Sequence, residues 1–234
     1  MKAIFRRELR AYFTGGYGWV FCGAFSLLAG LLYFALSISQ YQSDFRHVFS
    51  NMLVAMIFLI PLVTMRIWSE EKKQKTDQLL LTAPINVGEI VLGKFFAALM
   101  LFLIALCVTL IYPILTHAFG TLDVGVTVGN YIAIILAAAA YIAVSQFMSS
   151  LSESQIISAL LSMLTLSAFY FLDLIFQATT SEVLSGISRF LSIITRYRDF
   201  SGGVFSLSDA IYFVSLTVLF LFFTTRVIEK RRWS

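Results

Sequence analysis

Apolar runs long enough to cross a bilayer recur six times along the 234-residue chain, at about Tyr17 to Ile38, Val48 to Met65, Ile90 to Thr116, Val128 to Met148, Ile156 to Leu172 and Ala210 to Thr225. Crossing about 30 Å of hydrocarbon takes roughly 20 residues of helix at about 1.5 Å per residue. The alternating pattern of a membrane β-barrel is absent. The pattern therefore predicts an all-α integral membrane protein with six transmembrane helices. Ahead of the first run, Ile4, Phe5, Leu9, Tyr12 and Phe13 fall on one side of a helix and Lys2, Arg6, Arg7 and Arg10 on the other, and Gly15-Gly16 breaks the pattern. Residues 1–14 thus read as a basic amphipathic helix lying in the membrane interface, anchored by Arg6, Arg7 and Arg10. A secretory signal is the competing reading, but the apolar run after Gly16 exceeds the roughly 7 to 15 residues of a signal core.

Two prolines fall inside predicted spans. Pro61, near the end of the second, and Pro113, near the end of the third, each remove a helical hydrogen bond and predict kinks, with Pro61 placed to act as a hinge. The fourth span carries Ala133, Ala137, Ala138, Ala139, Ala140 and Ala143, so its backbone can approach a neighbour closely, and it should lie at a packing interface. Ser149 to Ser154 reads as a tight turn into the fifth span. The outer segment 173–209 is too apolar for a plain loop: Val183, Leu184, Ile187, Phe190, Leu191 and Ile194 keep helical spacing for about three turns. Too short to cross, that piece is expected as an outer interfacial or re-entrant helix between helices 5 and 6. No linker or internal repeat divides the chain, which reads as one transmembrane domain, 1–234.

The polar segment 66–94, between spans two and three, holds five of the seventeen basic residues and four of the thirteen acids, then turns apolar at Leu79-Leu80-Leu81 before Pro84. A solvated loop does not require that triplet; a short amphipathic helix docking into a partner's groove does. Both readings fit the periodicity.

Charge orients the chain. With both termini inside, thirteen Lys and Arg face the cytoplasm and only Arg46, Arg189, Arg196 and Arg198 face out, which predicts an N-in, C-in topology with segment 66–94 cytoplasmic. The net charge of +4 then reports topology and contact with anionic lipid, and calls for no nucleic-acid partner. Cys22 and Cys107 sit at depths differing by about 15 to 20 Å and cannot pair. No Asp, Glu, Lys, Arg or His lies at mid-depth, where proton- and ion-coupled transporters mark their path. Energy for uphill movement would have to come from another chain. Gly88 to Phe95 has P-loop spacing, but Phe95 stands where a hydroxyl must reach magnesium and no strand precedes it. His47 and His117, with Asp44 and Asp123 nearby, lack metal-ligand spacing and read as interfacial histidines. No catalytic, cofactor-binding or metal residue is expected in this chain.

Glu70-Glu71-Lys72, Thr76, Leu79-Leu80-Leu81-Thr82-Ala83-Pro84 and Glu89 to Gly93-Lys94 resemble the E-E-K, G-T, E-L-L, P and G-K order of type-2 ABC exporter permeases, closest to the small gliding-motility type. The chain end Arg231-Arg232-Trp233 is similar too. Lys75 stands where that pattern has glycine, and Asp77-Gln78 where an acid precedes the leucines. The resemblance implies an inner-membrane, multi-pass permease that pairs with a second, identical or homologous permease chain and with two copies of a separate ABC ATPase, which binds ATP and magnesium. It further implies that 66–94 is a cytoplasmic coupling helix, with Glu70, Glu71, Thr76, Leu79, Leu80, Leu81 and Pro84 as the contacts. The alternative is a membrane subunit that passes ATPase-driven force to further envelope subunits without moving a solute. The carboxylates Glu70 and Glu71 are expected to make exposed ion pairs, with the ATPase or with Arg6, Arg7 and Arg10, each contributing about 0 to 1 kcal/mol.

Overall fold

The computed structural model describes residues 1–38, 46–75, 86–119, 123–177, 193, 196–197 and 207–232, and among them it is helical without strands. In chain order the helices are α1 (Lys2–Thr14), α2 (Tyr17–Tyr33, running into a π-helical turn, Phe34–Ile38), α3 (Arg46–Thr64), α4 (Arg66–Lys73), α5 (Val87–Val108), α6 (Ile111–Phe119), α7 (Val124–Leu151), α8 (Gln155–Gln177) and α9 (Leu207–Arg232). Among the described residues, five stretches are long and apolar enough to cross a membrane: Tyr17–Ile38, Arg46–Lys73, Val87–His117, Val124–Leu151 and Leu207–Arg231. The fifth expected span falls in α8, whose apolar part among the described residues, Gln155–Phe171, is shorter than these. The expected 183–194 helix lies outside the described residues, apart from Ile193.

α7 is the spine. It packs against α9, α3, α8 and α5, and α4 lies across its far end. Ala133, Ala137, Ala138, Ala140 and Ala143 are all buried, so the alanine-rich face forms an interface within the chain. In lipid there is little hydrophobic drive between helices, and close backbone approach supplies the attraction. α2 closes the other side against α3 and α5, with Phe25 edge-on to Phe102 at 5.3 Å and Tyr33 stacked on Tyr112 at 4.9 Å.

Of the two expected proline kinks, the one at Pro113 appears as a helix interruption, while α3 runs unbroken through Pro61. Pro113 cannot donate to the Thr109 carbonyl, and the helix breaks between α5 and α6 there. The freed carbonyl accepts from the Tyr131 hydroxyl at 3.0 Å and from the Tyr112 amide at 3.1 Å. Pro61 is buried inside α3, and the Met65 amide still donates to its carbonyl at 2.8 Å. The chain leaves regular helix at Met65, one turn beyond the proline. The turn into α8 is tight as expected: the Ser152 hydroxyl accepts from the Ser154 amide at 3.1 Å. Cys22 and Cys107 are free thiols.

Candidate functional site

The polar segment 66–94 is seated in the bundle at both ends. Its first eight residues form α4, with Ile67, Trp68, Ser69 and Lys72 buried, and its last residue, Lys94, lies two turns inside α5. Seating α4 requires partners for the amides that open at the Met65 break. Ser149, near the end of α7, supplies them: its hydroxyl accepts from the amides of Trp68 at 3.2 Å and Ser69 at 3.4 Å and donates to the Met65 carbonyl at 3.0 Å. This is an N-cap given by another helix, with the same physics as a local one. At the other end of α4, the buried Lys72 ammonium donates to the Ser150 carbonyl, in the last turn of α7, where the helix dipole favours a cation.

The side of α4 facing α1 and α5 carries a four-membered charge network. Lys94, only 1% exposed, places its ammonium 2.9 Å from Glu71 Oε1 and 3.3 Å from Glu8 Oε1, and donates to the Ile67 carbonyl at 2.8 Å. Its amine also lies 4.9 Å from the Trp68 ring centre. Arg7 closes the ring, 2.5 Å from Glu8 and 2.8 Å from Glu71. Two cations and two carboxylates alternate, so the network is formally neutral and joins α1, α4 and α5 at one point. Glu8 and Glu71 are 16% exposed, and Arg7 is 52% exposed. These are not the fully exposed pairs the sequence suggests, because the Lys94 end is desolvated, where loss of one partner is far more costly.

α1 is brought within reach by close packing. At Gly93 an added Cβ would come 3.1 Å from Ile4 Cγ2, so glycine lets α1 press Ile4 onto α5 beside Lys94. Gly16, at φ +77°, makes the turn between α1 and α2. Burial pushes the Glu8 carboxyl up, but Lys94 and Arg7 outweigh it and hold Glu8 below the usual carboxylate range. Burial likewise raises the Tyr12 phenol, with Glu8 adding to the rise and Arg66 opposing it. Arg66 is bound bidentately by Glu70, at 2.6 and 2.8 Å, and lies 3.8 Å over the Tyr17 ring.

Of the residues singled out by sequence, Glu71 and Arg7 meet in the network and Glu70 pairs with Arg66. Arg6 and Arg10 lie on the exposed face of α1. Thr76, Leu79, Leu80, Leu81 and Pro84 fall outside the described residues. Lys75, which stands where the resembled pattern has glycine, adopts φ +56°, the left-handed conformation that glycine takes most readily after a helix end. The P-loop-like segment lies within α5, and its lysine is engaged by Glu71, Glu8 and Ile67. Asp123 caps α7, accepting from the Val126 amide at 3.2 Å.

Sequence reasoning missed Glu8 and the buried role of Lys94. A signal was there: Glu8 is the only acid among the first sixteen residues, on a helix otherwise suited to anionic lipid, and such an acid calls for basic partners. No curated protein matches the chain. The family model described as ABC-2 family transporter protein matches residues 19–228, from the start of α2 to near the end of α9. The chain is accordingly a multi-pass membrane protein, and it belongs to the ABC-2 family of transporter proteins.

Proposed function

We propose that this chain is the permease subunit of an ABC exporter, working as a pair of permease chains with two copies of a separate ATPase that binds ATP and magnesium. The arrangement is six spans in the inner membrane, N-in and C-in, with α8 as the fifth. Segment 66–94 is the cytoplasmic coupling segment: Leu79, Leu80 and Leu81 anchor it in the ATPase, Thr76 and Pro84 bound the anchor, and Glu70 orients α4 through Arg66. The observation that carries this reading is the seating of α4. Ser149 and Lys72 fix it to α7, and Glu71 fixes it to α1 and α5, so a push on the segment that follows reaches three helices at once.

The test is co-purification of the cognate ABC ATPase with tagged permease from membranes. Leu80→Asp should abolish co-purification while leaving membrane insertion intact. Lys94→Met should retain the ATPase but lose transport-coupled ATP hydrolysis. Undiminished co-purification with Leu80→Asp would refute the docking assignment.

A further inference from the structure

A groove of about 250 Å³ opens between α1, the first turns of α2 and the last turns of α3, and the coupling reading makes no use of it. Its walls change character along their length. Val20, Ala24 and Leu62 line one end, and Glu8, Arg66 and Glu70 line the other. From Tyr17, at the polar end, to Ala24 the wall rises about 10 Å at helical spacing, the depth over which a leaflet passes from headgroups to acyl chains. Val20 is 72% exposed and Leu62 49%, so the apolar end is open sideways to the bilayer. An occupant therefore enters from the leaflet on the α1 side, with its polar end toward α1 and α4.

Charge narrows the headgroup. The lining holds two carboxylates, Glu8 and Glu70, and one guanidinium, Arg66, whose Nε and Nη2 already bind Glu70. An anionic phospholipid would bring a net negative charge to a polar end whose acids and bases already balance, Glu70 with Arg66 and Glu8 with Lys94 and Arg7. A zwitterionic lipid with a primary ammonium sets its phosphate beside Arg66 and donates N–H groups to the carboxylates. A choline lipid has the same charges but no N–H to donate.

We propose that the groove between α1, α2 and α3 binds a phospholipid with a primary-ammonium headgroup, its acyl chain over Val20, Ala24 and Leu62 and its headgroup between Arg66 and the carboxylates of Glu8 and Glu70. Such a lipid bridges α1 to α4 independently of any ATPase.

The test uses full-length permease in mild detergent, mixed with equal amounts of phosphatidylethanolamine, phosphatidylcholine and phosphatidylglycerol of matched acyl chains, with retained lipid counted by native mass spectrometry. The expected result is a preference of at least about tenfold for phosphatidylethanolamine over phosphatidylcholine, the scale of one charge-assisted hydrogen bond. Ala24→Phe fills the groove from α2 and should remove the preference. Leu62→Trp fills it from α3 and serves where the first variant does not fold. Equal retention of the two zwitterionic lipids, a preference for phosphatidylglycerol, or a preference surviving in a folded groove-filled variant would overturn the proposal.

Discussion

Replacing Lys94 by Met keeps most of the side-chain volume and deletes the charge that holds the network together. Three contacts go: those to Glu71 at 2.9 Å, to Glu8 at 3.3 Å and to the Ile67 carbonyl at 2.8 Å. What remains is two carboxylates sharing Arg7, a formal charge of −1 at a junction of three helices. Removing one partner from a buried pair destabilises by about 3 to 5 kcal/mol. Because Glu8 and Glu71 are 16% exposed and keep Arg7, the lower end applies, about 3 kcal/mol. For a chain of this length each kcal/mol moves the melting temperature by about 2 to 4 °C, so Lys94→Met should melt about 6 to 12 °C lower in detergent. The decisive comparison is the double variant Lys94→Met/Glu71→Gln, which restores neutrality with Arg7 and Glu8 still paired. It should recover part of the loss, with a coupling of about 1 to 3 kcal/mol. A shift under about 2 °C for the single variant, or a double variant losing the sum of both singles, would refute the claim that the buried charge is what matters.

Three further outcomes follow from the same region. Glu8 is held below its ordinary value of 4.5, so its stabilising share is present above that pH and is lost as pH falls through the depressed folded value; an acid titration of melting temperature should show this fall, and Glu8→Gln should flatten it. Gly93→Leu puts a side chain where Ile4 presses, and despite a gain in helix propensity it should cost about 1 to 3 kcal/mol and expose α1 to protease. Lys75→Gly relieves a left-handed φ and should raise stability by about 0.5 to 1 kcal/mol, read as a higher melting temperature.

The long apolar helices were legible because helix length is dictated by bilayer thickness, and the interface role of the alanine face was legible because small residues in a row serve close approach. The break at Thr109 could be anticipated from Pro113, since the missing donor is written in the residue itself. The break at Met65 could not be placed, because its partner is Ser149, about eighty positions away, and nothing local marks that hydroxyl as a cap. The same holds for Lys94. Its neighbours in sequence look like the edge of a polar segment, and its burial comes from α1 folding back over α5, a contact between residues 86 positions apart. The glycine pattern was informative in two ways: Gly93 marks a close approach, and the conformation glycine would favour at position 75 is adopted there by lysine.

The arrangement also explains why charges join α1 to α4. An amphipathic helix held only by apolar contact at an interface is free to slide, since such contact has no direction. Ile4 against Gly93 sets how closely α1 approaches, but not its position along α5. Alternating ion pairs do set it: a one-residue shift of α1 would turn Glu8 by about 100° and carry it away from Lys94. The pairs therefore contribute register more than net stability. With register fixed, α4 is held on one side by Ser149 and Lys72 and on the other by Glu71. It can then be displaced only together with α1, the start of α5 and the end of α7, and the backbone interruption at Met65 is where that unit meets the membrane-spanning length of α3. Bending should concentrate at Met65, where the amides of Trp68 and Ser69 are held by a single rotatable hydroxyl.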